Sequence, residues 1–330
     1  MQAGAHVDEK MIARTEAQNL TKSENEAQVP KQLKRLQAVV LLAGSVRATR
    51  LREAIQRSML DLPIGDGRTL LQYWQTQTAA LARVAGLKRL EVRIMVDRDA
   101  REPVASAAQE GVVLSVERDP KDFRGTAGVL KDLSKGYAAD DYILVANAHQ
   151  LLLQDLPRLA IKVADKDGDV TVTSHEDGSV SSLMLIRCGA LEKIGETGFV
   201  DMKEQGLPLI AKQYHVEVVP LRLPSGMPVR TPMDYINALR RHHRRTAAAG
   251  EQQLNPWTED WAPTFSIIEE GATIGAKARV HDSVVLKGAR VEPGAVVVRS
   301  VVCPGAIVGR GMLVAEDLVE GHIRTGRAWQ

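Results

Sequence analysis

Aliphatic residues in the last quarter of the chain recur every six positions, and this period restricts the possible fold more than any other feature. They are Ile268, Ile274, Val280 and Leu286; the spacing then slips by one to Val291, followed by Val297, Val308 and Val314. A period of six matches neither an α-helix nor a simple hairpin. It is typical of a coil with three short faces, each pointing one aliphatic side chain inward.

This pattern resembles the hexapeptide repeat of left-handed β-helices, with Gly or Ala beside many of the repeated positions. We therefore predict a short left-handed β-helix over residues 265–318. The alternative, a β-sandwich, would need alternation at period two.

The preceding segment alternates predicted strands and helices. The apolar run Ala38–Leu42 ends at Gly44, as expected of a buried parallel strand entering a loop. A helix is predicted over Leu70–Ala85, with Gly86 as its C-cap. Further strands are predicted at Glu91–Val96, Val112–Val116, Tyr142–Val145, Val170–Thr173, Ser182–Arg187 and Glu217–Arg222, and a closing helix at Pro232–Arg245.

This alternation predicts a doubly wound, Rossmann-like α/β domain with a mostly parallel sheet over residues 36–245. Residues 1–35 are polar and predict a flexible N-terminal arm. Residues 246–264 are predicted to be a linker, and residues 319–330 a C-terminal tail.

Composition restricts the class of protein further. Aromatic residues make up only 4% of the 330 residues, which suits an aliphatic parallel sheet or a solenoid. The net charge of +2 argues against a nucleic-acid partner. The basic run Arg240–Arg245 fits a helix C-terminus with a solvated face, although an acidic partner is the alternative.

Two further features bear on location. The two cysteines, Cys188 and Cys303, fall in different predicted domains, so we expect free thiols and a cytoplasmic protein. No apolar run approaches the roughly 20 residues that a membrane span needs, so no membrane association is expected.

Three segments in order resemble the sugar-phosphate nucleotidyltransferase family. Leu42-Ala43-Gly44, Thr49-Arg50-Leu51 and Leu62-Pro63-Ile64-Gly65 match parts of its phosphate-loop segment. Gly125-Thr126-Ala127-Gly128 matches its GTAG step, and Thr231-Pro232-Met233-Asp234-Tyr235 matches the TPxDY that opens its last helix. The resemblance covers residues 36–318.

The resemblance implies a reaction: a nucleoside triphosphate and a sugar 1-phosphate give a nucleotide-sugar and pyrophosphate, with Mg²⁺ held by carboxylates. It assigns nucleotide contacts to Ala43, Gly44 and Gly125–Gly128. It assigns catalytic charges to Arg50 and Arg57, and the sugar-phosphate side to Lys203 and Glu204.

The chain departs from the family pattern where the chemistry should lie. The loop lysine is absent, with Arg57 as the nearest substitute, and His149 and Pro228 stand where metal carboxylates are expected. The pattern therefore assigns no metal ligands, and His149 and Asp61 are the candidates that it leaves. A hydrogen-bonded histidine at a strand end is the simpler interpretation of His149.

Two functions remain open. The chain is either an active transferase with a rearranged, Mg²⁺-dependent site, or an inactive homologue without a cofactor that binds a nucleotide or nucleotide-sugar and pairs with an active paralogue. Its expected partners are a nucleoside triphosphate with a sugar phosphate, or a nucleotide-sugar. The open ends and flat sides of a short solenoid also predict a homo-oligomer through the β-helix.

Overall fold

The computed structural model describes residues 29–44, 49–104, 106–118, 124–176, 178–249 and 265–321. Within these ranges the α-helices are α1 (Lys31–Lys34), α2 (Arg50–Ala54), α3 (Leu70–Ala85), α4 (Gly125–Ser134), α5 (Leu156–Ala164), α6 (Leu207–Ile210) and α7 (Pro232–Ala249). Two 3₁₀ turns span Met59–Asp61 and Cys188–Lys193, and a π-helical turn spans Met202–Gly206.

Eleven strands precede the linker region in the described part of the chain. They are β1 (Leu36–Leu42), β2 (Pro63–Gly65), β3 (Arg68–Thr69), β4 (Leu90–Val96), β5 (Val112–Arg118), β6 (Tyr142–Asn147), β7 (Gln150–Leu152), β8 (Val170–Ser174), β9 (Val180–Arg187), β10 (Val216–Pro220) and β11 (Gly226–Pro228).

Seven of these strands form the central sheet, in the order β10-β8-β9-β6-β1-β4-β5. All neighbours are parallel except β9, which runs antiparallel to β6 and β8. Strand β1 is buried on both faces: Val39 and Leu41 join one apolar cluster, and Ala38 and Val40 join the other. The sheet therefore separates two core layers, which confirms the predicted α/β architecture.

Helix α3 illustrates how local sequence sets the elements. Thr69 and Gln72 form a reciprocal capping box at its start, and Gly86 ends it in the left-handed conformation at φ 68°. The helix has the bounds that the sequence predicts. Trp74 on its inner face is fully buried, and its Nε1 donates to the Ala148 carbonyl at 2.8 Å, just beyond β6.

The ordered domain includes part of the predicted N-terminal arm. Leu33 of α1 is fully buried in the larger apolar cluster, and Gln32 Nε2 donates to the Lys166 carbonyl at 3.2 Å. Residues 29–35 thus pack on the domain, whereas residues 1–28 lie outside the described part.

The C-terminal strands stack into a parallel β-helix. They are β12 (Ser266–Ile268), β13 (Thr273–Ile274), β14 (Arg279–His281), β15 (Ser283–Val285), β16 (Arg290–Val291), β17 (Val296–Val298), β18 (Val301–Val302), β19 (Ile307–Val308), β20 (Leu313–Ala315) and β21 (Leu318–Val319). Three sheets result, with orders β12-β15-β18-β21, β13-β16-β19 and β14-β17-β20. The β-helix is thereby confirmed, and its left hand remains a prediction.

The register corrects one position of the predicted repeat. Val285, not Leu286, pairs with Ile268 below it and Val302 above it, so that spacings of six, six and five residues build one coil. Val285 points into the β-helix core. Leu286 points outward and is buried in the apolar cluster of the α/β domain.

One face of the β-helix packs against the α/β domain. Six of its buried residues belong to the same apolar cluster as the α/β core: Phe265, Val284, Leu286, Val301, Cys303 and Leu318. A fully buried aliphatic side chain contributes roughly 1.5–3 kcal/mol, so this contact holds the two parts together firmly. One flat side of the solenoid is therefore covered within the chain, and the predicted oligomer remains a prediction.

The predicted linker and C-terminal tail are described by the structure only in part. Helix α7 continues to Ala249, into the predicted linker, and residues 250–264 lie outside the described part. The predicted tail begins within strand β21, at Val319, and its residues 322–330 are not described. In the part of the chain that the structure covers, no helix has the length and apolar character to span a membrane.

Candidate functional site

The sheet order creates a cleft at the carboxyl ends of β1 and β6. From β1 the chain proceeds to β4 and β5 on one side and then returns to β6 on the other. In open α/β sheets, ligands bind where the order reverses in this way.

A cavity of about 540 Å³ lies at this position, within the size range of small-molecule sites. Its lining residues come from several segments: Leu42, Gly44, Thr49, Arg52, Met59, Thr126, Asn147, His149, Met184, Asp201, Met202, Lys203, Val229 and Arg230. A second cavity of about 460 Å³ shares Arg52, Met59 and His149 with it.

An ion pair between Arg52 and Asp97 lies where the two cavities adjoin. Thr49 caps the start of helix α2, where its side chain accepts from the Arg52 backbone N–H. Arg52 Nη1 contacts Asp97 Oδ2 at 2.6 Å. A Cβ at Gly44 would lie 2.6 Å from the other Asp97 oxygen. The glycine after β1 therefore makes room for this carboxylate.

His149 follows β6 and lines both cavities. Its backbone N–H donates to Asn147 Oδ1 at 2.8 Å, and its carbonyl accepts from the Val229 N–H at 2.8 Å. Burial, followed by the positive charges of Arg52 and Arg230, lowers the pKa of His149 to about 4, against the opposing effect of Asp97. The ring is thus neutral at physiological pH.

The GTAG segment opens α4 and packs against residues 200–202. The Ala127 N–H donates to the Val200 carbonyl at 3.0 Å, and the Met202 N–H donates to Thr126 Oγ1 at 2.9 Å. Gly125 has φ 67°, and a Cβ there would lie 2.4 Å from the Val200 oxygen. This glycine is therefore required by a backbone contact within the protein, and Thr126 is the member of the segment that lines the cleft.

Asp201 and Lys203 form the opposite wall. One Asp201 oxygen accepts from the backbone N–H groups of Lys203 and Glu204, capping the π-helical turn, and the other accepts from Thr126 Oγ1. Lys203 Nζ donates to the Val180 carbonyl at 2.7 Å. Surrounding protein lowers the pKa of Lys203 by desolvation; Asp201 opposes this effect, and Arg230 adds to it.

The two arginines predicted to be catalytic both contact the β-helix. Arg50 pairs with Glu320 at 2.5 Å and Arg57 pairs with Glu269 at 2.9 Å. Arg57 also lines the smaller cavity, as does Ala43. Their predicted catalytic and nucleotide-binding roles remain predictions.

Of the other predicted site residues, some line the larger cavity and some do not. Gly44, Thr126, His149 and Lys203 line the larger cavity. Ala127 is buried, and a Cβ at Gly128 would meet the Arg124 side chain at 3.1 Å. The exposed Glu204 lies beside Lys203, beyond the residues that line the cavity.

Asp61 lies away from the cleft lining. Its side chain is buried, and Oδ1 accepts from the Val104 N–H at 2.9 Å. Burial raises the pKa of Asp61, against the effects of that hydrogen bond and of Arg57. Its carboxylate therefore fixes the backbone after β4.

The donor set of the described cleft does not fit Mg²⁺. Asp97 is paired with Arg52, Asp201 caps the π-helical turn, and the imidazole of His149 is a poor ligand for this hard cation. Across the described ranges, no three His, Cys, Asp or Glu residues converge to hold a metal.

Sequence reasoning missed Arg52, Asp97, Asp201 and Arg230. Asp97 directly follows β4, so its place at the carboxyl edge of the sheet could have been predicted. The other three depend on contacts between segments far apart in the chain.

The remaining motifs of the resemblance meet inside the fold. Thr231 and Asp234 cap the start of α7 reciprocally, at 3.1 Å in both directions. Tyr235 is fully buried and its hydroxyl donates to the Pro63 carbonyl. The TPMDY and LPIG segments thus hold α7 against β2.

Comparisons with known proteins give no family and a weak likeness to a solved structure. The chain matches no protein-family model and no curated protein significantly. A solved structure of a homologue of Mycobacterium tuberculosis Rv0371c, from Mycobacterium sp. strain JC1, is similar with a TM-score of 0.42 and 16% identity. The match covers 66% of this chain and 99% of that one. At these values the likeness carries no argument about function.

Proposed function

We propose that the chain binds a nucleotide or nucleotide-sugar in the cleft between the ends of β1 and β6, and that it does so without Mg²⁺-dependent transfer. The observation that carries this proposal is that both carboxylates in the cleft already have partners within the protein. Asp97 neutralises Arg52, and Asp201 accepts from Thr126 and from two backbone N–H groups. Neither is left to hold a hard cation.

The pattern of retained and missing motif residues supports the same conclusion. Each retained motif residue has a contact within the protein. Gly125 packs against Val200, and Thr231 and Asp234 cap each other. Tyr235 donates to the Pro63 carbonyl. The loop lysine and both expected metal carboxylates are absent from the matching positions. The motif residues that remain are thus those that stabilise the fold, and the missing ones are those that the transfer reaction requires.

The cleft nevertheless suits a phosphorylated ligand. Arg52, Lys203 and Arg230 line one cavity together with the neutral His149. Arginine and lysine are the common protein partners of phosphate, and a neutral imidazole donates a hydrogen bond without adding charge. The protein would then act as a sensor of its ligand or as the partner of an active paralogue.

An active transferase is the second candidate, and the same cations favour it. In such a reaction the sugar phosphate attacks the α-phosphate in line and pyrophosphate leaves, so positive groups at the cleft stabilise the departing charge. Loss of one stabilising group typically lowers a rate by about 10²–10³. Without the loop lysine and the carboxylates, turnover should be very slow.

Binding and pyrophosphate release distinguish the two candidates. We expect calorimetry to detect one or more nucleotides or nucleotide-sugars, and pyrophosphate release to stay at background over a panel of triphosphates and sugar 1-phosphates. Arg52→Gln should weaken binding. Arg89→Gln is a matched control, because Arg89 precedes β4 at the opposite end of the sheet. Clear turnover that Arg52→Gln abolishes would establish the transferase instead.

A further inference from the structure

Two cations in the cleft have no carboxylate partner among the described residues. Arg230 is exposed towards the cavity and makes neither an ion pair nor a hydrogen bond within the described ranges. Lys203 uses one of its three N–H donors on the Val180 carbonyl. Arg52, by contrast, is neutralised by Asp97.

Lys203, Arg230 and His149 line the same cavity. Desolvation is the main cause of the lowered pKa of Lys203 and of His149, and the charge of Arg230 adds to it in both cases. Like charges held close together raise the free energy of the empty site, and an anion placed between them removes that cost. The nearest carboxylate, Asp201, accepts from backbone N–H groups and Thr126.

We propose that Lys203 and Arg230 hold the diphosphate of the ligand, in the role that a divalent cation has in metal-dependent enzymes. This inference rests on the proposed function, since it assigns the phosphate subsite of the same cleft. The Arg230 guanidinium offers a planar pair of donors to two phosphate oxygens, and the Lys203 ammonium adds a compact charge. Neutral His149 lies on the same lining and can donate a hydrogen bond to a phosphate oxygen without adding charge.

The position of Arg230 gives this assignment a structural basis. Arg230 comes directly after Val229, whose N–H donates to the His149 carbonyl, and just before Thr231, which caps α7. The segment is thus fixed at both ends. Lys203 is fixed through the Asp201 cap of its own turn. The backbone that carries both groups is therefore held in place, so binding need not order these segments.

The test uses inorganic pyrophosphate as the probe, titrated calorimetrically into the full chain in EDTA. We expect saturable binding, weakened at least about tenfold by Arg230→Gln and by Lys203→Met, and unchanged in Arg89→Gln. Both side chains are exposed, so thermal unfolding should match the wild type and exclude misfolding as the cause.

Three outcomes overturn the inference: no pyrophosphate binding, binding only when Mg²⁺ is added, or wild-type affinity in both variants. Its failure is separable from that of the proposed function. If a nucleotide binds the two variants as tightly as the wild type, the proposed function holds and this subsite is wrong. If pyrophosphate binds as expected and no nucleotide or nucleotide-sugar does, the subsite holds and the proposed ligand is wrong.

Discussion

The guanidinium of Arg57 lies 2.9 Å from Glu269 and joins the α/β domain to the first coil of the β-helix. Both side chains are largely buried, at 25% and 17% exposure, and the same Glu269 oxygen accepts from the Lys287 N–H at 2.7 Å. Another interdomain pair, Arg50 with Glu320, is much more exposed, at 65% and 40%. The two pairs should therefore differ in their effect on stability.

We expect Glu269→Gln to lower the free energy of unfolding by about 1–2 kcal/mol, because it removes the carboxylate that is paired directly with the largely buried Arg57. Glu320→Gln should cause no measurable change, since water screens that pair. Urea unfolding of both variants measures the difference. Equal effects would show that the pairs do not differ as their burial implies.

A second prediction concerns stability in acid. His242 is 7% exposed, its Nδ1 has no hydrogen-bond partner within the described part, and its ring lies edge-on to Tyr73. Burial, with smaller effects of neighbouring cations, lowers the pKa of His242 to about 4. The unfolded chain therefore takes up this proton first, and folding stability falls as pH drops from about 6.5 towards 4.

Between pH 7.5 and pH 4, the free energy of unfolding of His242→Leu should fall by roughly 2–3 kcal/mol less than that of the wild type. Urea unfolding at each pH measures the difference. Arg89→Gln, which leaves every histidine in place, should follow the wild type. If the His242→Leu and wild-type curves fall in parallel, His242 does not limit stability in acid.

A third prediction separates a structural from a ligand-binding role of the GTAG segment. Gly125→Ala should lower the unfolding free energy by about 2–4 kcal/mol in the ligand-free protein, since φ is 67° and the Val200 oxygen would be 2.4 Å from the new Cβ. Gly136→Ala is the control, because a Cβ there meets nothing within 4 Å. A stable Gly125→Ala variant that only loses ligand affinity would instead favour a contact with the nucleotide.

The fold followed from local patterns, whereas much of the site did not. Buried strands and the ends of α3 depend on residues close in sequence, so apolar runs and Gly86 sufficed to predict them. The repeat was misplaced at Leu286 because an outward apolar residue that packs on another domain looks like a core residue in sequence. The Arg52–Asp97 pair joins positions 45 residues apart, and periodicity carries no information about such a contact.

A fourth prediction concerns the metal candidate that the sequence offered. Asp61→Asn should leave nucleotide affinity within about twofold of the wild type, with or without Mg²⁺, because Asp61 binds the Val104 N–H and lines neither cavity. Asp97→Asn should tighten binding several-fold, since Arg52 then loses its counter-charge. A Mg²⁺-dependent loss of affinity in Asp61→Asn would show that Asp61 reaches the ligand.

Calorimetric titration of a nucleotide ligand, first in EDTA and then with Mg²⁺, tests the central claim most directly. The claim is that protein cations, rather than a metal held by carboxylates, neutralise the phosphates in this cleft. We predict binding in EDTA and a change of less than about threefold on adding Mg²⁺. Affinity that rises more than about tenfold with Mg²⁺, equivalent to ~1.4 kcal/mol of coupling, would contradict the account.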